Sequence, residues 1–209
     1  MKKILFVLTL LIINCSTLCA QKTYPEWTKA ELAKANTAVN TSLSEDEKLV
    51  FFYCNLARLN GAKFLRTYAA NYLTDTSEYV TSLKKELSQI KNLPMLKPDR
   101  GLCKAAAFHA EDMYKKDFCG HNSSDGTSWS RRIHRYYFKD NNKPVCAENV
   151  SYGYYTALDI VMAFLIDRWV PSHGHRYNIL NELKIAMGVS IRGGMCAQDF
   201  GQELLTPMN

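Results

Sequence analysis

Lys184 to Phe200 reads KIAMGVSIRGGMCAQDF, and the alternation within it decides the fold class. Ile185, Met187, Val189 and Ile191 fall at every second position, the period of a strand with one buried face. Gly193-Gly194 predicts a tight turn, and Met195 to Phe200 a returning strand. Working back, Val145 to Tyr152 reads as a further strand. Thr156, with Asp159 three residues later, caps a helix carrying Leu158, Val161, Met162 and Leu165, which Pro171 ends. Further upstream the period changes to that of helices. Gly101 to Phe118 carries a stripe of Leu102, Ala106, His109 and Met113. Tyr79 to Lys91 is amphipathic, and Ala62 to Leu73 is a shorter helical piece. Ser44-Glu45-Asp46-Glu47 is a capping box, followed by Leu49, Phe52 and Leu56. That helix is expected to end at Asn60-Gly61, with Gly61 as a left-handed cap. A helical turn is expected over Arg131 to Tyr136. Helices first and a hairpin-containing sheet last predict α+β, with helices packed on an antiparallel sheet.

The N-terminus is read apart from the fold. Lys2 and Lys3 precede an apolar run from Ile4 to Ile13, and small and polar residues follow up to Ala20. This is the pattern of a secretory signal peptide over 1–20, too short for a membrane span. A lipid anchor on Cys15 is the alternative, although Asn14 stands where a small residue is wanted. Residues 21–43 form a polar leader with one short helix over Lys29 to Ala35, and 44–209 form the domain. The expected location is therefore secreted or periplasmic, with no transmembrane segment after cleavage.

The formal net charge is +6, a mild excess. Arg131-Arg132-Ile133-His134-Arg135-Tyr136-Tyr137 is the densest basic patch. It reads as a solvated face, and export argues against nucleic acid as a partner. Of the seven cysteines, Cys54, Cys103, Cys119, Cys146 and Cys196 remain after cleavage. In an oxidising compartment they suggest two disulfides and one free thiol.

Four residues are candidates for chemistry. His121 follows a helix end. Glu148 shares a strand face with Val150 and Tyr152, and an inward carboxylate needs a partner. Two readings of Glu148 stand side by side: an acid, base or metal-organising carboxylate, and a structural ion pair with an arginine. Asp167 falls on an apolar helical face, or else is a helix-end residue pairing with Arg168 or Arg176. His175 follows Gly174, which permits close approach. His173 reads as exposed, His134 as a surface residue, and His109 as a core histidine donating to a backbone carbonyl. No H-E-x-x-H, G-x-S-x-G, Walker or dinucleotide fingerprint is present.

Asn55-x-x-Arg58, the LCKAAAFHAEDM helix, Gly120-His121, Ala147-Glu148-Asn149-Val150, LID with VPSHGHRYNIL, and Met187-Gly188-Val189 occur in that order. The set resembles the CAP superfamily of cysteine-rich secretory proteins, venom antigen 5 and plant pathogenesis-related proteins of group one. It is most similar to the bacterial SCP-like extracellular members. The resemblance covers about residues 44 to 200. It implies a three-layer α-β-α sandwich whose cleft holds two histidines and two acidic residues, here His121, His175, Glu148 and Asp167. Asp167 departs from the glutamate usual in eukaryotic members, and GHRYNIL replaces their pattern around the second histidine, so sterol binding is not carried over. The resemblance further implies a divalent metal, such as zinc, on His121 and His175, with the acidic pair orienting the rings or a bound water.

Three functions compete. The first is a secreted binding module for a metal and a small-molecule, lipid or peptide ligand. The second is a metal-dependent hydrolase in which Glu148 activates water. The third is a structural or cell-surface interaction protein without metal, recognising an extracellular partner. The missing third histidine and zincin motif weigh against an enzyme.

Overall fold

The computed structural model describes residues 24–138, 145–154 and 156–208. The signal segment and Cys15 lie outside the described residues. Eight α-helices and four strands are present among the described residues. The helices are α1 (Lys29–Ala35), α2 (Glu45–Leu59), α3 (Gly61–Arg66), α4 (Glu78–Gln89), α5 (Arg100–Lys116), α6 (Trp129–Tyr137), α7 (Ala157–Ile166) and α8 (Gly174–Leu180). The strands are β1 (Lys97–Pro98), β2 (Cys146–Tyr152), β3 (Ala186–Arg192) and β4 (Met195–Gly201).

The fold is α+β. The sheet order is β1-β3-β4-β2. β3 and β4 form the expected hairpin, and β2 pairs antiparallel with β4. The edge strand β1 runs parallel to β3 over two residues, a detail outside the antiparallel expectation. One sheet face carries Met187, Val189, Cys196 and Phe200 into a core shared with α2 and α7. The other packs on α5 and α6, where Ala197 meets Ala106, Ala110 and Met113. These faces make the three layers. Gly188 lets α5 lie directly on β3, because a Cβ there would stand 2.1 Å from the Leu102 carbonyl carbon.

Local chemistry explains most helix starts. Ser44 with Glu47 and Thr156 with Asp159 form complete capping boxes, as does Thr28 with Glu31. Three boundaries differ from expectation. Gly61 does not cap α2; it opens α3, packed so closely that a Cβ would meet the Leu87 carbonyl oxygen at 2.2 Å. The piece expected over Ala62 to Leu73 divides into α3 and a 3₁₀ turn at Ala70–Tyr72. α7 stops at Asp167, four residues before Pro171, because Asp167 adopts a left-handed conformation with φ 56°.

The leader is docked from Tyr24 onward. Trp27 is buried and its Nε1 donates to Thr67 Oγ1 at 3.0 Å. Asn55 Nδ2 donates to the carbonyls of Ala35 and Leu96, each at 3.0 Å. Arg58, fully buried, donates to the carbonyls of Pro94, Ile179, Asn181 and Lys184, tying α2 to the segment between α8 and β3.

The expected disulfides do not form. Among the described residues no disulfide is present, and Cys54, Cys103, Cys119 and Cys196 are free thiols. Cys54 and Cys103 lie on opposite sides of the sheet. Burial pushes the Cys54, Cys103 and Cys146 thiols up to about 12 and raises Cys196 as well, so these four stay neutral and are poor nucleophiles. Among the described residues no helix is long and apolar enough to cross a membrane.

Candidate functional site

His121 is delivered by the turn that ends α5. Asp117 closes the helix in a left-handed conformation, φ 51°. His109, buried on the α5 stripe, then bonds the Gly120 carbonyl through Nε2 at 2.7 Å. Burial holds its ring below the usual imidazole value, which keeps it neutral and makes Nε2–H the donor. His109 is thus the core histidine its position suggested, and it fixes the peptide just before His121.

Glu148 projects from β2 toward the α5 and α6 side, and its carboxylate is buried. Oε1 accepts from His121 Nδ1 at 2.9 Å, and Oε2 accepts from Arg132 Nη2. The ion-pair reading of Glu148 is the one the geometry contains, with Arg132 as the arginine, and the same carboxylate also orients a histidine. Arg132 is a residue that sequence reasoning assigned wrongly. The expected solvated basic face is instead α6, and Arg132 on it is fully buried. Its guanidinium also donates to Ser123 Oγ at 2.8 Å and the His121 carbonyl at 3.0 Å, so one side chain sets both members of the pair. The helical spacing of Trp129, Ile133 and Tyr137 was the signal that this segment has an inner face.

His175 and Asp167 come from one chain turn. Asp167 Oδ1 accepts from His175 Nδ1 at 2.6 Å. Oδ2 accepts the backbone N–H groups of His175 at 2.9 Å and Arg176 at 3.2 Å. Asp167 thus pairs with neither arginine side chain. Arg168 pairs with Asp75, and the Arg176 guanidinium donates to the carbonyls of Leu165, Tyr79 and Ile166. His173 is half-buried, not exposed: its Nδ1 donates to the Val170 carbonyl at 3.0 Å, leaving Nε2 to accept from Ser82 Oγ at 3.1 Å. His134 is likewise half-buried, its ring 4.3 Å from that of Phe138.

Asn149 joins the two halves. It points to the other sheet face from Glu148, where Nδ2 donates to the His175 carbonyl at 3.2 Å and Oδ1 accepts from Asn178 at 2.8 Å. The result is one cavity of about 580 Å³ with His121, Glu148, His175, Trp129 and Asn178 in its wall. Asp167 reaches this cavity only through His175. It lines a neighbouring cavity of about 680 Å³ with Phe164, Trp169 and Tyr152. Both Nδ1 atoms are engaged by carboxylates, so each ring has Nε2 left for a ligand.

A second residue went unnoticed in the sequence. Asp199 on β4 lies directly across from Glu148 and is fully buried. Its place in the alternation Met195, Ala197, Asp199 was the available signal, since it sets an acid on an apolar strand face.

Residues 51–196 match the family model for CAP, the Cysteine-rich secretory protein family. No curated protein matches the chain. Among solved structures, an extracellular protein of Bacillus anthracis containing an SCP domain is 19% identical with a TM-score of 0.49. The likeness covers 77% of this chain and 44% of that one, so this chain corresponds to less than half of that protein. An outer surface protein of Borrelia burgdorferi is 22% identical, with a TM-score of 0.43 over 66% of this chain and 93% of that one. A cysteine-rich secretory protein of Staphylococcus aureus is 17% identical, with a TM-score of 0.41 over 60% of this chain and 38% of that one. Membership rests on the family match, which spans most of the chain: this protein belongs to the CAP family of cysteine-rich secretory proteins.

Proposed function

We propose that this CAP-domain protein is an exported binding module whose cleft holds a divalent metal ion between His121 and His175 and presents it to a small or peptidic ligand. The observation that carries the reading is the pairing of each ring, at Nδ1, with a buried carboxylate, on the wall of one cavity. Such pairing fixes the tautomer with Nε2 as the basic nitrogen, the arrangement that metal-binding histidines use. The protein donors on this reading are the two Nε2 atoms. Among the described residues no group of three or more His, Cys, Asp or Glu side chains is placed to hold a metal ion. Most positions on the ion would therefore belong to water or ligand. Imidazole donors suit zinc, and the ion would supply Lewis-acid polarisation of a bound oxygen.

Binding is favoured over hydrolysis by the state of Glu148. Oε1 accepts from His121 and Oε2 from Arg132, so both oxygens already hold protein donors and the carboxylate serves as an orienting group. Export is supported by the basic start and apolar run of residues 1–20, with cleavage after Ala20; attachment through Cys15 would keep the protein at a membrane.

A calorimetric zinc titration of residues 21–209, beside the His121→Ala, His175→Ala double variant, tests the reading. Saturable binding in the parent, lost in the variant, is expected. An absence of heat in the parent, with the fold intact, would favour a cleft stabilised by the tetrad alone.

A further inference from the structure

Glu148 and Asp199 are opposed across β2 and β4 on the face that packs under α5 and α6. Asp199 is fully buried, and neither carboxylate oxygen meets a hydrogen-bond donor. On its other side β3 offers Gly188, which has no side chain. An ionised carboxylate in that position costs several kcal/mol unless paired.

The surrounding charges give no second pair. Around Asp199 stand Glu148 and Cys146 from β2, Arg132 from α6, Cys103 from α5, and Cys196 on its own strand, while His109 on α5 faces Glu148 and Arg132. The buried thiols and His109 are neutral for the reasons given above. Among the described residues Arg132 is the cation that acts on Asp199; its Nη groups are committed to Glu148, Ser123 and the His121 carbonyl, and its buried Nε makes no hydrogen bond, to Asp199 or to any other group. One cation thus stands beside two acids. Glu148 has the guanidinium and the His121 N–H as donors, so the missing proton belongs to the acid that has neither.

We propose that Asp199 is a fifth member of the site, a neutral carboxyl that donates a hydrogen bond to Glu148 and holds Glu148 as the anion facing Arg132 and His121. A proton on Asp199 removes the uncompensated charge and turns one of its two orphan oxygens into a donor with a partner. Burial, and next the charge of Glu148, raise the Asp199 carboxyl well above its ordinary value of 3.8. Asp199 acts through Glu148 and is a positioning residue. Its influence on His121 as a ligand rests on the metal-site reading; its protonation does not.

The test is carboxyl NMR on the full domain with aspartate labelled with carbon-13 at the side-chain carboxyl, without metal. One aspartate should keep the shift of a neutral acid at neutral pH while the others ionise in the usual acid range. That resonance should be absent from Asp199→Asn, which keeps shape and a donor toward Glu148. A spectrum with every aspartate ionised at neutral pH, or a neutral resonance that persists in Asp199→Asn, overturns the proposal. Should Asp199→Asn fail to fold, Glu148→Gln assigns the signal: freeing Arg132 should let that aspartate ionise at lower pH, and an unmoved resonance overturns the assignment. The pH profile adds a second readout. An acid whose value is raised in the folded state contributes fully below its unfolded value near 3.8 and loses that contribution as pH rises toward the folded value. The melting temperature of Asp199→Asn should therefore rise relative to the parent with increasing pH above about 4; parallel profiles count against it. Because no zinc enters these experiments, a failed zinc titration leaves their outcome unaffected.

Discussion

Asp167 and His175 stand eight residues apart on one turn, whereas Glu148 and His121 are separated by 27 residues and come from a strand and a loop. The first pair is held by backbone. The left-handed Asp167 ends α7 and receives the first N–H groups of α8, so the chain turn that places His175 also orients it. The second pair is held by side chains from three other elements: Arg132 from α6, His109 from α5 and Asp199 from β4. A site half of which is local and half assembled should respond unequally to substitution. Damage to the assembled half spreads through buried charge, while damage to the local half stays within one turn.

The largest effect should come from Arg132→Met. The long apolar chain keeps volume but leaves Glu148 buried without its cation, a loss of about 3–5 kcal/mol when one member of a buried pair is removed. Denaturant unfolding measures it. Adding Glu148→Gln should recover part of the loss, because the uncompensated charge goes. A double variant no better than the single one would mean that Arg132 matters chiefly through its bonds to the 121–123 loop.

Asp167→Ala should follow, at about 2–3 kcal/mol, since it strips acceptors from two N–H groups and puts a β-carbon without a polar end at positive φ. Asp167→Asn sharpens the contrast. Asparagine tolerates the left-handed conformation and its oxygen can still face the two N–H groups, so the melt should move little. Its amide would then donate to His175 Nδ1 and shift the ring proton to Nε2. Zinc affinity should fall about 10–100-fold with the fold intact. Equal affinity for Asp167→Asn and the parent would break the idea that the carboxylate sets the tautomer.

The same division decides what could be read in the chain beforehand. The β3–β4 hairpin, two of the capping boxes and the α5 stripe were legible because each signal spans a few residues and answers to one period. The four candidate residues were singled out together only through the order of the motifs, and the structure joins them as two pairs. Arg132 was misread because its meaning depends on Glu148, brought to it by strand pairing; on its own a basic cluster with aromatics looks like surface. Asp199 was missed for the same reason, as its partner lies across a ladder that the sequence implies but does not register. Helix ends failed where geometry outranked residue type. Proline at 171 was the obvious stop, yet the chain turns at Asp167, where the carboxylate has three hydrogens to accept. The cysteines failed because spacing says nothing about which face of a sheet a thiol will meet.

The smallest effects should separate the two histidines themselves. His121→Ala removes a half-exposed ring, and Glu148 keeps Arg132, so the loss should be below about 1 kcal/mol. His175→Ala removes a more buried ring that packs 5.3 Å from Phe164, and Asp167 keeps only its two backbone donors; about 1–2 kcal/mol is expected. Thermal melts of the two single variants at one pH give the order directly. If His121→Ala proves the costlier, the assembled half depends on its histidine as well as on Arg132, and the cation would then be too weak a partner to hold Glu148 alone.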